Sequence, residues 1–116
     1  MRDLALRSAG VLAILVAIAH GLIAELHVFA NAGIEPTRTR DLLRLLWQAT
    51  TLEWIAVSVL LIAAPSFGSE PARRWIIAVA VVVYGYAAIA NAVATGGRHF
   101  GWVAMGGAVV LALLGL

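Results

Sequence analysis

The sequence contains no cysteine and no lysine, and it has few charged residues of any kind. Without cysteine the chain can form no disulfide, thiolate nucleophile or thiolate metal site, which excludes the membrane thiol oxidoreductases. Charged residues make up 12% of the 116 residues, about half of the usual quarter, whereas 63% are hydrophobic. Apolar surface on this scale cannot all be hidden inside so short a chain. The composition therefore predicts a single domain with the lipid bilayer as its solvent.

Eight arginines supply all of the positive charge, and against six acids they give a net charge of +2. They lie at the ends of apolar segments and form no single basic patch, which argues against nucleic-acid binding. Alternate sides of the predicted bundle carry four arginines each, so the positive-inside rule does not fix the orientation and leaves insertion in both orientations open. The two sets are Arg2, Arg7, Arg73 and Arg74 on one side, and Arg38, Arg40, Arg44 and Arg98 on the other.

Four apolar stretches have about the 20-residue length that a membrane-spanning helix needs. They cover about residues 8–30, 42–63, 75–95 and 100–116, with proline, glycine or charged residues between them. The first stretch also resembles a signal peptide, but His20, Glu25 and His27 interrupt its apolar part, so we interpret it as a helix. Small residues in the third and fourth stretches predict close packing of these two helices. The predicted fold is all-α: an integral membrane antiparallel four-helix bundle formed by one domain, residues 1–116.

Polar side chains within these stretches can be ordered by depth, counted from the helix ends at ~1.5 Å per residue. They lie from the bilayer centre to the rim in the half that carries the first and third loops. This one-sided polarity predicts a pocket that opens towards those loops. Its predicted residues are Glu53, His20 and Tyr84 near the centre, Glu25, Gln48 and Asn91 at the walls, and Arg44 and His99 at the mouth.

The angular positions of these residues complicate a single pocket. Glu25 lies ~140° from His20 at 100° per residue, and Gln48 and Glu53 have the same offset. Some of the side chains must therefore lie at helix flanks or face a second subunit. An acid at the bilayer centre costs ~2.5–3.5 kcal/mol unless it is paired, hydrated or protonated, so Glu53 is expected to share a hydrogen bond or an ion pair with His20. In the alternative interpretation these groups only join helices, through hydrogen bonds of roughly 1 kcal/mol or less.

Four tryptophans add an aromatic signal. Trp47, Trp75 and Trp102 lie near predicted helix ends and are interpreted as interface anchors, whereas Trp54 lies deeper and is interpreted as packing or as a pocket wall.

Three short motifs carry a resemblance to known proteins. They are the polar stretch from His20 to Phe29, the segment from Leu46 to Thr50, and Gly96-Gly97 before a tryptophan-led last helix. In these the chain resembles a group of small bacterial inner-membrane proteins, which implies a four-helix fold and no settled activity. That group often has histidine after the tryptophan of the second motif, where this chain has Gln48, which weakens a metal-site hypothesis. In architecture alone the chain is also similar to the small multidrug resistance exporters.

The leading functional hypothesis is a non-enzymatic membrane protein whose pocket holds a small or amphipathic ligand, alone or as an oligomer. Alternatives are an accessory subunit of a larger membrane complex, a proton-coupled transporter using Glu25 or Glu53, and haem or metal binding through His27 and His99. No catalytic residue, metal ligand set or cofactor is assigned, because the sequence shows neither a nucleophile-base pair nor a helical His-x-x-x-His.

Overall fold

The computed structural model describes all 116 residues, which form four helices joined by short loops and no strand. Helix α1 spans Arg2–Asn31, and its segment Ala24–Val28 is π-helical. Helix α2 spans Thr37–Ala63 and is extended by a 3₁₀ turn over Ala64–Phe67. Helices α3 and α4 span Glu70–Thr95 and Gly101–Leu113. The prediction of an all-α chain with four helices is confirmed.

The first three helices begin five or six residues earlier than the apolar stretches do, because their first turns are polar. Ser69 caps α3, where its hydroxyl accepts a hydrogen bond from the backbone N–H of Ala72 at 3.3 Å. At the other end of α3, Gly96 adopts a left-handed conformation with φ of 58°, which ends the helix. Helix α4 has only 13 residues and is thus roughly 20 Å long at ~1.5 Å per residue.

Neighbouring helices run antiparallel, and α1 to α4 form a ring in chain order. Gly10 near the start of α1 faces Ser58 late in α2, and Glu25 near the end of α1 meets Arg44 early in α2. Helix α1 also packs against α4, so each helix has two neighbours. The contact between α2 and α3 is the least extensive of the four. A groove therefore opens between these two helices.

Small side chains line the tightest interfaces of the bundle. Ala80 of α3 and Ala108 and Ala112 of α4 are fully buried, which confirms the close packing predicted for these two helices. The larger fully buried apolar side chains of the core are Tyr84, Leu6, Leu61 and Ile77.

The outer surface of the bundle is strongly apolar. Only 23 of the 116 residues are buried, and large apolar side chains such as Leu15, Leu22, Val82 and Ile89 are exposed. Water-soluble monomers rarely expose continuous apolar surface on this scale. Helices α1, α2 and α3 are long and apolar enough to cross a membrane, and α4 is apolar but shorter.

Candidate functional site

The groove between α2 and α3 is a cavity of about 500 Å³. Aromatic and small apolar side chains form most of its wall, and a few polar groups lie among them. His20 reaches its floor from α1, so three helices contribute to it. We call it the α2–α3 groove, and its lining consists of His20, Trp47, Thr50, Glu53, Trp54, Val82, Val83, Tyr86, Ala87, Ala90, Asn91 and Ala94.

His20 is held in a fixed orientation by α2. Its ring stacks on Trp47, with centroids 4.7 Å apart and planes at 17°, and packs against Trp54 at 4.3 Å. The hydroxyl of Thr50 donates its proton to the carbonyl of Trp47 at 2.7 Å. Nε2 of His20 lies 3.2 Å from the same hydroxyl, and the tautomer of the imidazole decides which of the two donates.

A second cavity of about 230 Å³ adjoins the groove on the inside of the bundle. We call it the inner cavity. All four helices contribute to it, and His99 from the loop before α4 is part of its lining. The Nδ1 atom of His99 accepts a hydrogen bond from the backbone N–H of Gly101 at 3.1 Å. The residues common to both cavities are His20, Trp47, Trp54, Ala87 and Asn91.

Asn91 carries the one buried side-chain oxygen or nitrogen atom that has no hydrogen-bond partner. Its Oδ1 atom is inaccessible to solvent and accepts no hydrogen bond. An unsatisfied buried carbonyl costs about 1–3 kcal/mol. A Cβ atom at Gly101 would lie 3.2 Å from this oxygen, so the oxygen packs against the start of α4 and a ligand in the cavities does not contact it directly, although other atoms of Asn91 line both cavities.

The prediction of one pocket that holds Glu25, Gln48 and Asn91 together is wrong. Glu25 forms an ion pair with Arg44, with 2.6 Å between Oε2 and the guanidinium. Gln48 donates to Glu25 at 2.8 Å and to the carbonyl of Gly21 at 3.2 Å. This cluster lies at the flank between α1 and α2, where Glu25 and Arg44 border a separate surface depression.

The end of α1 at this cluster is π-helical. Ala24–Val28 contains both Glu25 and His27, and a π-helical turn has more residues than an α-helical one. Side chains beyond Ala24 therefore depart from the 100° steps that the sequence analysis used. The ~140° offset between His20 and Glu25 still predicted, correctly, that they would occupy different faces.

The predicted contact between Glu53 and His20 is also wrong. His20 bonds to Thr50, and Glu53 takes part in none of the ion pairs of the chain. Its side chain is exposed in the groove, next to Trp54 and on the same wall as Thr50. Of the two acids within the predicted bundle, Glu25 is thus satisfied by its own chain and Glu53 is not.

Tyr84 belongs to the core and lines neither cavity. It is fully buried, and its hydroxyl lies 2.7 Å from Oγ of Ser58 and donates to the carbonyl of Trp54 at 3.3 Å. The Ser58 hydroxyl donates to the same carbonyl at 2.6 Å. These bonds join α3 to α2 in the middle of the bundle, as the helix-joining interpretation expects.

Replacing Tyr84 by phenylalanine should lower stability by about 1 kcal/mol, since the ring still packs but the hydrogen bond to α2 is lost. The measurement is the midpoint of thermal unfolding in mild detergent. Tyr86→Phe provides the matched control, because Tyr86 is exposed two positions away and makes no hydrogen bond to Ser58. Equal midpoints for the two variants would contradict a structural role for the Tyr84 hydroxyl.

Sequence reasoning missed the aromatic enclosure of His20. Trp47 was interpreted as an interface anchor, yet it is half-buried against His20 and donates from Nε1 to the carbonyl of that residue at 3.2 Å. The three-residue spacing from Trp47 to Thr50, and the seven-residue spacing to Trp54, place all three on one face of a helix. That spacing was the available signal. His20 and His99 share the inner cavity, but nowhere do three His, Asp or Glu side chains come together as a metal site would require.

Comparison with known proteins yields no protein family, no curated protein and no solved structure that matches the chain.

Proposed function

We propose that the protein is a multi-pass integral membrane protein, in the inner membrane of a bacterium, that binds a small amphipathic ligand in the α2–α3 groove and the inner cavity. The proposal rests on two cavities that share part of their lining and on a polar side chain in that lining that has no partner. The two cavities share His20, Trp47, Trp54 and Asn91, and Glu53 in the groove belongs to no ion pair.

Membrane insertion is supported by the distribution of apolar side chains. Helices α1, α2 and α3 each have the length and hydropathy of a membrane span, and their outward side chains are largely apolar. In lipid this surface requires no further burial, whereas in water it would favour aggregation. The bacterial location rests on the resemblance of the sequence motifs alone.

A binding function accounts for the site better than a catalytic one does. Ligand sites are mostly apolar and aromatic, with a few placed polar groups, and both cavities have this composition. Nucleophilic catalysis needs a hydroxyl or a thiol next to a base. The only hydrogen-bonded histidine-hydroxyl pair is His20 with Thr50, and no carboxylate pairs with that histidine to orient it as a base.

A second candidate is an accessory subunit of a larger membrane complex. The exposed and unpaired Glu53 in the groove favours it, because a partner helix could supply the missing donor. Proton-coupled transport would use the same carboxylate. It also requires a conformational change, and no feature of the groove indicates one.

Native mass spectrometry from mild detergent tests the proposal. The wild-type protein should retain a small-molecule adduct, and Trp54→Leu should lose most of it, because the indole of Trp54 lines both cavities. The matched control is Trp75→Leu, since Trp75 is 74% exposed on the outer surface. The experiment also reports the copy number of the chain.

Three outcomes would decide between the candidates. An adduct lost only in Trp54→Leu supports ligand binding. A stoichiometric second polypeptide, with no small molecule, would favour the accessory subunit. Ligand binding would be refuted if the wild-type protein and both variants carry no adduct and no amphipathic compound shifts their thermal unfolding.

A further inference from the structure

Glu53 places an unpaired carboxylate close to the middle of a membrane-length helix. It is the seventeenth residue of the 31-residue helical stretch Thr37–Phe67. Its side chain is exposed in the α2–α3 groove and belongs to no ion pair. A charge at this depth costs ~2.5–3.5 kcal/mol on insertion scales. The site therefore favours any positively charged group that can reach it.

No arginine of the chain reaches Glu53, and His20, the other basic group in the groove, bonds to Thr50. The nearest arginine along α2 is Arg44, which lies nine residues earlier, roughly 14 Å away at ~1.5 Å per residue, and it already pairs with Glu25. No arginine lines the groove, and all eight lie near helix ends. A second copy in either membrane orientation would also carry its arginines near the rims. Self-association therefore does not neutralise Glu53 with a guanidinium.

The aromatic side chains of the groove also suit a cation. Trp47, Trp54 and Tyr86 line it beside Glu53, and the faces of indole and phenol rings attract cations. Eight of the 12 lining residues are hydrophobic, so the apolar part of a ligand would also be accommodated. A small hydrated metal ion would gain nothing from this apolar surface.

We propose that the α2–α3 groove selects a lipophilic organic cation, whose positive charge lies between Glu53 and the rings of Trp54 and Tyr86. This inference rests on the proposed ligand-binding function and specifies the charge and class of the ligand. The amine of a lipid headgroup has the same chemistry, but it lies at the membrane surface, whereas Glu53 lies near mid-depth. A free cation with an apolar body matches the depth.

Binding of tetraphenylphosphonium to the purified protein in an uncharged detergent tests this inference. The readouts are isothermal titration calorimetry and tryptophan fluorescence, because Trp47 and Trp54 line the groove. Tetraphenylborate has nearly the same shape with the opposite charge and should not bind. Glu53→Gln should raise the Kd for the cation by about tenfold or more, since it removes the carboxylate but keeps its size. Glu35→Gln makes the same charge change at an exposed loop position outside the groove and should leave the Kd unchanged.

A competition experiment distinguishes a lipid headgroup from a free cation. Phosphatidylcholine or phosphatidylethanolamine is added to the protein in the same uncharged detergent before tetraphenylphosphonium is titrated in. If these lipids compete with tetraphenylphosphonium, the ligand is a lipid headgroup and the depth argument is wrong. Equal cation binding by Glu53→Gln, equal binding of tetraphenylborate, or no cation binding by the wild-type protein would each overturn the inference. The proposed function would survive all of these if native mass spectrometry still finds an adduct that Trp54→Leu loses, and it fails only if that adduct is absent.

Discussion

Substituting alanine for Gly10 is expected to cost about 2–3 kcal/mol of stability, the upper part of the range for overpacking. A Cβ atom at this position would lie 2.6 Å from the backbone carbonyl oxygen of Ser58 and 2.6 Å from Cγ1 of Ile62. The side chain of Ile62 can rotate away, but the carbonyl belongs to the backbone of α2 and cannot. Helices α1 and α2 would therefore have to separate at this contact.

The measurement is the yield of monodisperse protein by size exclusion, together with the midpoint of thermal unfolding. Gly85→Ala is the matched control, because Gly85 also lies inside a long helix and a Cβ there would meet nothing within 4 Å. Since alanine is the better helix former by about 1 kcal/mol, that variant should be neutral or slightly stabilised. Similar behaviour of the two variants would show that close approach at Gly10 does not limit stability.

The helical architecture could be predicted from the sequence because apolar length and breaker residues set it directly. The predicted second and third helices end at residues 63 and 95, where α2 and α3 end. Their starts were placed five residues too late, since Thr37 and Glu70 open polar first turns that a hydropathy criterion omits. Small residues also predicted the α3–α4 interface, but the same pattern in α1, with Gly10 and Gly21 against α2, was not recognised.

The depths of the candidate site residues in the bundle could be predicted more reliably than their angular positions around the helices. Counting residues from the helix ends placed His20, Glu53 and Asn91 at neighbouring levels, and all three line the α2–α3 groove. The rise per residue is nearly constant along a helix, so depth accumulates little error. Angle is less robust, because the π-helical segment Ala24–Val28 changes the rotation per residue.

Side-chain partners were the least predictable feature. Glu53 and His20 are close in depth, yet His20 is held by stacking on Trp47 and Trp54 and by its bond to Thr50. Choosing between Thr50 and Glu53 as the partner depends on rotamers and on aromatic packing, which a single sequence does not specify. The consequence is functional, because the carboxylate that was expected to be paired is the one left available to a ligand.

A cluster of charges at the opposite end of the bundle escaped prediction. Arg73 is only 10% exposed in its side chain and forms an ion pair with Asp3 of α1. Its NH1 atom also donates to the carbonyl of Gly115 at 3.2 Å, and its Nε lies 3.9 Å from Glu70. One guanidinium thus joins the start of α1, the first turn of α3 and the residues that follow α4. The sequence analysis had counted Arg73 only as an orientation signal.

Arg73→Met should therefore lower the midpoint of thermal unfolding by several degrees, while Arg74→Met should change it little. Both variants remove one positive charge from adjacent positions of α3, but Arg74 is exposed and outside every ion pair of the chain. Asp3 is 58% exposed in its side chain and can be hydrated when its partner is lost, so the loss should come mainly from the Gly115 carbonyl and the vacated space. Arg73→Lys should fall between wild type and Arg73→Met, because lysine keeps the charge but cannot bond in several directions from one planar group. Equal midpoints for the two methionine variants would mean that surface charge, and not the three-helix contact of Arg73, determines stability at this end.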